Sequence, residues 1–197
     1  MHTTLLDGTW SLTPLNYKLV SQHTPFFGTD GSLPCTLPGD IHSALLDGGV
    51  IADPYWGTNE LEMQWVGKLD WQLERTFTVT AEELEGARPV LTLTMADTII
   101  TVCINGEEVG STYNQFRIWR FDLSGHLKEG ENTITLLFTS AEAYAKEEAK
   151  KLDYPIPYSV YPVYAEHRNL IRKTQCHFGW DWGPCILAMG VYESIRL

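Results

Sequence analysis

Trp71, Leu73, Phe77 and Val79 alternate with Gln72, Glu74, Thr76 and Thr78, and a period of two means a strand with one face against a core and the other wet. Arg75 interrupts the apolar side. The pattern recurs at Val90 to Met95, where Leu91, Leu93 and Met95 share a face, and at Asn132 to Thr139, where Ile134, Leu136 and Phe138 do. Thr98 to Ile104 is rich in β-branched residues and runs into Asn105-Gly106. That dipeptide marks a tight hairpin, because a type I′ turn needs positive φ at both central residues. Phe116 to Leu123 continues the series, and Ile186 to Leu197 reads as a closing strand.

Helices are few and short. Asp40 is the expected N-cap for Ile41 to Asp47, with Ile41, Ala44 and Leu45 on one face and Gly48-Gly49 as the stop. Ser140 to Lys151, rich in Ala, Glu and Lys, predicts a second helix with a solvated charged face, ending before Asp153-Tyr154-Pro155. Pro14 to Pro38, with Pro25, Pro34, Gly28 and Gly31, reads as a loop, and so does Tyr154 to Tyr164. The latter mixes prolines with tyrosines, so it either packs down or covers a partner. Strands separated by turns, with only two short helices inserted, predict an all-β sandwich of jelly-roll type rather than a parallel sheet.

The 197 residues suit one domain spanning 1–197. A net charge of -11 repels a nucleic-acid backbone or an anionic membrane surface, so neither is expected as a partner. No apolar run approaches the roughly 20 residues of a membrane span, and Met1 to Trp10 lacks the features of a secretion signal. Cys35, Cys103, Cys176 and Cys185 are scattered without C-x-x-C spacing, which argues against a zinc site and for buried or partly buried thiols. Cys176 and His177 point to opposite faces if their segment is extended. These features together predict a soluble, cytoplasmic protein in a reducing compartment.

Near the end stands Gly179-Trp180-Asp181-Trp182-Gly183-Pro184, an Asp flanked by tryptophans and bounded by turn residues. Indole faces stack on the apolar face of a pyranose, and a carboxylate accepts hydrogen bonds from neighbouring hydroxyls. The same tryptophans could equally close a hydrophobic core. A glycosidase also needs two carboxyl groups about 5–5.5 Å or about 6.5–9.5 Å apart. Glu82-Glu83, Glu107-Glu108 and Glu147-Glu148 lie in polar turn-like or helical segments, where solvated charge is the better reading. No nucleophile elbow, phosphate loop or H-E-x-x-H helix is present.

Larger stretches carry a resemblance. Pro38-Gly39-Asp40-Ile41-His42, Ile51-Ala52-Asp53-Pro54-Tyr55-Trp56-Gly57, Asn59-Glu60, Gln64-Trp65-Val66-Gly67 and Asp70-Trp71 are the first part of it. Asp97-Thr98, Ile104 to Gly110, Asn114-Gln115-Phe116-Arg117 and Gly130 to Thr133 follow, and Asn169 to Gln175 leads into His177 to Pro184. From Leu6 to Leu197 the chain resembles the amino-terminal, galactose-binding-like jelly roll of β-mannosidases of glycoside hydrolase family 2. The resemblance implies that Asp181 hydrogen-bonds hydroxyls of a terminal mannose and that Trp180 and Trp182 wall its subsite. It further implies a β-mannoside substrate, no cofactor or metal, and catalytic glutamates on a (β/α)8 barrel outside these residues. The chain is accordingly expected to be a fragment or excised domain of an exo-acting, retaining β-mannosidase, inactive alone. Two other readings stand beside this: a free-standing carbohydrate-binding module or equivalent domain of another family 2 glycosidase, and a structural jelly roll docking through Tyr154 to Tyr164.

Overall fold

The computed structural model describes residues 2–15, 31–86, 88–157 and 165–197. In chain order the strands begin with β1 (Gly8–Pro14), β2 (Leu33–Leu37) and β3 (Gly39–Asp40), followed by helices α1 (Ile41–Asp47) and α2 (Asn59–Glu62). Then come β4 (Trp71–Val79), α3 (Ala81–Leu84), β5 (Val90–Leu93), β6 (Ala96–Asp97), β7 (Ile100–Ile104) and β8 (Glu107–Thr112). The last elements are β9 (Trp119–Asp122), β10 (Gly130–Phe138), α4 (Ala141–Lys150) and β11 (Gly190–Val191).

A six-stranded sheet in the order β2-β1-β4-β10-β7-β8 forms one layer, and the sheets β3-β11-β6 and β5-β9 lie across the core from it. Every strand pairing among the described residues is antiparallel. The inward faces follow the period of two: Leu73 sits opposite Leu136, and Trp71 opposite Phe138. Their side chains share one core with Leu12, Leu91, Leu93, Phe121 and Val191. The apolar alternation read in the sequence is therefore the sandwich interior.

Local chemistry sets the turns. Asn105 and Gly106 adopt φ of 51° and 84°, as the I′ hairpin requires. The Asn105 carboxamide donates to His126 O and Asn132 Oδ1, both at 2.9 Å, and accepts from Thr133 N. Asp40 caps α1 by accepting from Ser43 N at 3.1 Å and Ser43 Oγ at 2.7 Å. Ser140 caps α4 by accepting from Ala143 N. Its Glu142–Lys146, Glu147–Lys150 and Glu148–Lys151 pairs are solvated helix-face contacts. Arg75 breaks the apolar face of β4 because its guanidinium reaches the sheet end and donates to Asp7 O.

The structure corrects several expectations. Leu33–Leu37, read as part of a loop, is strand β2, with Leu33, Cys35 and Leu37 buried. Pro34 hid it: β2 is an edge strand, and there Pro34 stands exposed, costing the sheet no inner hydrogen bond. Strand β1 pairs with it, Trp10 opposite Cys35, and was unrecognised in the sequence. The expected closing strand shrinks to Gly190–Val191 plus single bridges from Arg196 to Leu5 and Thr92. Phe116 to Ile118 precede β9 rather than forming its start. Within the expected Tyr154 to Tyr164 loop, Tyr154 is exposed and 158–164 lie outside the described residues, as do 16–30 of the earlier loop.

The glutamate pairs have structural work. Glu83 completes a capping box with Thr80 at the start of α3, and Glu107 faces His126 at 3.1 Å. Within the three-stranded sheet, β3 and β11 approach so closely that a Cβ on Gly190 would lie 2.2 Å from Gly39 O and 2.7 Å from Asp40 Cα. Glycine is needed here for the space, and the pairing sets Asp40 opposite Gly190.

Candidate functional site

Trp180 and Gly183 bond each other's backbones in both directions at 3.3 Å, which leaves Asp181 and Trp182 at the tip of a two-residue turn. Gly179 enters it with φ of 88°, in the region that favours glycine. The two indoles meet edge to face, centroids 5.7 Å apart, and Arg168 lies 5.4 Å over the Trp180 ring. Trp182 is 80% exposed and Trp180 38%. The alternative in which these tryptophans close the core therefore fails; Phe178, 0% exposed, does that instead, packed with Ala141, Ala165, Ile171 and Leu187.

Beside the turn opens a groove of about 700 Å³. Trp180 and Trp182 line it, as do Tyr55, Asp53, His42 and Tyr192. Asp181 does not; it is exposed at the turn tip. Cys176 and His177 both line the groove: Gln175–Phe178 is a 3-10 turn, so the condition of an extended segment, which would set them on opposite faces, is not met. Cys176 is exposed, unlike buried Cys35 and Cys185 and half-buried Cys103.

Beneath the groove lies an ionic centre that the sequence reading passed over. Lys173 and Asp97 have fully buried side chains, and Lys173 Nζ donates to Asp97 Oδ2 at 2.7 Å. It also donates to Ala188 O at 2.9 Å, and His177 Nδ1 lies 2.9 Å from it and 3.5 Å from Asp97 Oδ2. Burial pulls the Lys173 ammonium below its ordinary value, and the Asp97 carboxylate pulls it back. For Asp97, burial raises the carboxyl, but hydrogen bonding to His177, the Lys173 charge and the Lys173 and Thr98 hydrogen bonds outweigh it, so its pKa ends lowered. Tyr192 completes the cluster with its hydroxyl 3.4 Å from Asp97 Oδ2, and burial with that negative charge raises the phenol.

The centre fixes the chain that carries the tryptophans. Gln115 extends the hold: its Oε1 accepts from Thr174 N at 2.7 Å and Thr174 Oγ1 at 3.0 Å, while its own N–H donates to Arg172 O. One signal in the sequence pointed here, an acidic residue inside the apolar run Met95-Ala96-Asp97-Thr98-Ile99. A carboxylate in such a setting is buried with a partner or misplaced. Among the described residues no cluster of three or more His, Cys, Asp or Glu could hold a metal ion.

His42, on the groove floor, is 6% exposed and its Nδ1 has no hydrogen-bond partner. Burial pushes the imidazole down to about 4; Asp40 opposes this, and Lys173 and His177 add to it. The ring is therefore neutral in the fold while the unfolded chain takes up a proton near the ordinary value of 6.5. Between those values the unfolded state binds more protons, so stability is fully present above about 6.5 and falls as pH drops towards 4. The expected loss from this residue is about 2 kcal/mol by pH 5. Urea titrations at pH 7 and pH 5 check it: His42→Gln should flatten the dependence, and an unchanged pH slope in that variant rejects the assignment.

The model of the glycosyl hydrolase 2 galactose-binding domain-like family matches residues 16–193. β-Mannosidase of Rattus norvegicus is 34% identical over 98% of this chain and 21% of its own length. A probable β-mannosidase of Caenorhabditis elegans is 33% identical over 100% of the chain and 22% of its own length. Among solved structures, the β-D-mannosidase of Dictyoglomus thermophilum superposes with a TM-score of 0.83 at 31% identity, covering 100% of this chain and 22% of that one. The exo-chitosanase of Amycolatopsis orientalis, at 15% identity and a TM-score of 0.64, shares the fold. The chain thus spans about a fifth of the length of the relatives it matches.

Proposed function

The chain belongs to the glycosyl hydrolase 2 galactose-binding domain-like family, and on that premise we propose that it is the amino-terminal, substrate-subsite domain of an exo-acting, retaining β-mannosidase. Its part in the reaction is positional. Asp181 accepts hydrogen bonds from hydroxyls of the terminal β-D-mannose, a charged and therefore strong acceptor, while Trp180 and Trp182 wall the ring. The acid/base and nucleophile glutamates belong to a (β/α)8 barrel elsewhere in the polypeptide. Holding the sugar in line with such a nucleophile lowers the barrier by orientation, and hydrogen bonds that strengthen as the ring distorts lower it further. The observation that carries this reading is the likeness to β-mannosidases along 98% or more of the chain, which runs through the exposed Trp180–Gly183 turn.

Asp181→Ala, made in the protein that the whole gene encodes, is expected to lower kcat/KM for an aryl β-mannoside at least tenfold, about 1.4 kcal/mol or more. A loss under threefold rejects the role, as does a gene product with no β-mannosidase activity.

A further inference from the structure

We propose that the Asp53–Gly57 turn is a second sugar-binding subsite, where Tyr55 is a stacking platform for the ring next to the one held at Trp180 and Trp182. This rests on the reading above, and in an exo-acting enzyme it places Tyr55 on the leaving-group side. Tyr55 lines the same groove as the two tryptophans, and both it and Trp56 are 77% exposed. At about 700 Å³ the groove falls among clefts of about 300–1,000 Å³ that enclose ligands larger than one hexose.

The turn is built to present that ring. Tyr55 N donates to Asp53 Oδ1 at 2.9 Å, Trp56 N to Asp53 O at 3.2 Å, and Asn59 Nδ2 to Asp53 O at 2.9 Å. Asn59 N closes onto Trp56 O at 3.2 Å, and Gly57 takes φ of 59°. A platform already held by its backbone loses little further freedom when a ligand arrives. Gln64 then sets the distance between the two aromatic turns: its Nε2 donates to Glu60 O at 2.7 Å on one side and to Cys185 O at 2.8 Å on the other. Glu60 belongs to the helix that follows the Tyr55 turn, and Cys185 follows the Trp180–Gly183 turn by two residues.

The lining selects the ligand class. Asp53 lines the groove beside Tyr55, with Oδ1 engaged by the turn, so a carboxylate edge accompanies the aromatic face. His42 on the floor is neutral, and the Lys173 ammonium is fully enclosed. Among the described residues lining the groove there is no Lys or Arg, and an aromatic face with carboxylate acceptors fits a neutral polyhydroxylated ring.

The test is a titration of the isotope-labelled 197-residue chain with methyl β-D-mannoside and with β-1,4-mannobiose, followed at the Trp indole N–H resonances. The disaccharide is expected to bind at least fivefold more tightly. Tyr55→Ala should abolish that gain and leave Kd for the monosaccharide within twofold, Tyr55→Phe should retain it, and Trp182→Ala should weaken both ligands. If Trp182→Ala weakens both while Tyr55→Ala changes neither, or if the two sugars bind the parent equally, the second subsite is wrong and the first stands. If Tyr55→Ala weakens both sugars alike, Tyr55 belongs to the first subsite and the proposal is overturned. If the parent binds neither sugar, the subsite reading of the domain fails and this proposal falls with it.

Discussion

Lys173→Met is expected to destabilise the fold by about 3–5 kcal/mol, the cost of breaking one side of a buried ion pair. The reason is what remains. Asp97, fully buried, keeps its contacts to Thr98, Tyr192 and His177 but loses the cation 2.7 Å away, and Ala188 O loses a donor. The side chain that replaces Lys173 fills the same space, so lost packing contributes little, and the penalty is electrostatic. The double variant Lys173→Met with Asp97→Leu should therefore recover part of the loss, since removing both charges also removes the cost of enclosing them. Urea unfolding of both variants checks this, and a single-variant loss below about 1 kcal/mol would show that water reaches the site. Because the segment from Lys173 leads directly into the tryptophan turn, the indole resonances of Trp180 and Trp182 should shift in the same variant.

Trp71→Ala should cost a comparable amount, about 3–5 kcal/mol, through a different mechanism. Trp71 is 0% exposed at the start of β4, opposite Phe138 on β10 and Pro14 on β1. Its Nε1 donates to Val66 O at 3.0 Å, and its ring lies 6.1 Å from Trp65. Truncation opens a cavity in the core at the start of β4 and leaves a buried carbonyl without that donor. For a chain of this size the thermal midpoint should fall by roughly 10 °C. Trp71→Phe, which refills most of the space but not the hydrogen bond, should cost less than half as much. Equal losses in the two variants would place the energy in the hydrogen bond instead of the packing.

Trp71 and Lys173 differ in how far each could be foreseen. The burial of Trp71 follows from its place in the alternation Trp71, Leu73, Phe77, Val79, a relation between residues two and four positions apart. The hairpin at Asn105-Gly106 and the caps at Asp40 and Ser140 are equally local, since each depends on the φ preference or side-chain reach of residues within three positions. Strand β2 escaped although its alternation was present, because Pro34 is neutral only on an edge strand, and edge position is a property of the assembled sheet. The turn around Asp181 was visible as a motif, but two tryptophans read the same whether they are buried or presented.

The sequence by itself determined the class of fold, the hairpin and helix boundaries, and the presence of an aromatic and acidic turn near its end, because each follows from periodicity or from contacts along a few residues. Only the tertiary structure decided that Trp182 faces outward, that Tyr55 stands in the same groove, and that Asp97 and Lys173 meet beneath it. Asp97 and Lys173 are 76 positions apart, and Gln64 and Cys185, whose contact ties the two aromatic turns, are 121 apart. No local preference encodes such meetings: they arise when the layers close on one core, and the free energy that enforces them is that of the whole fold.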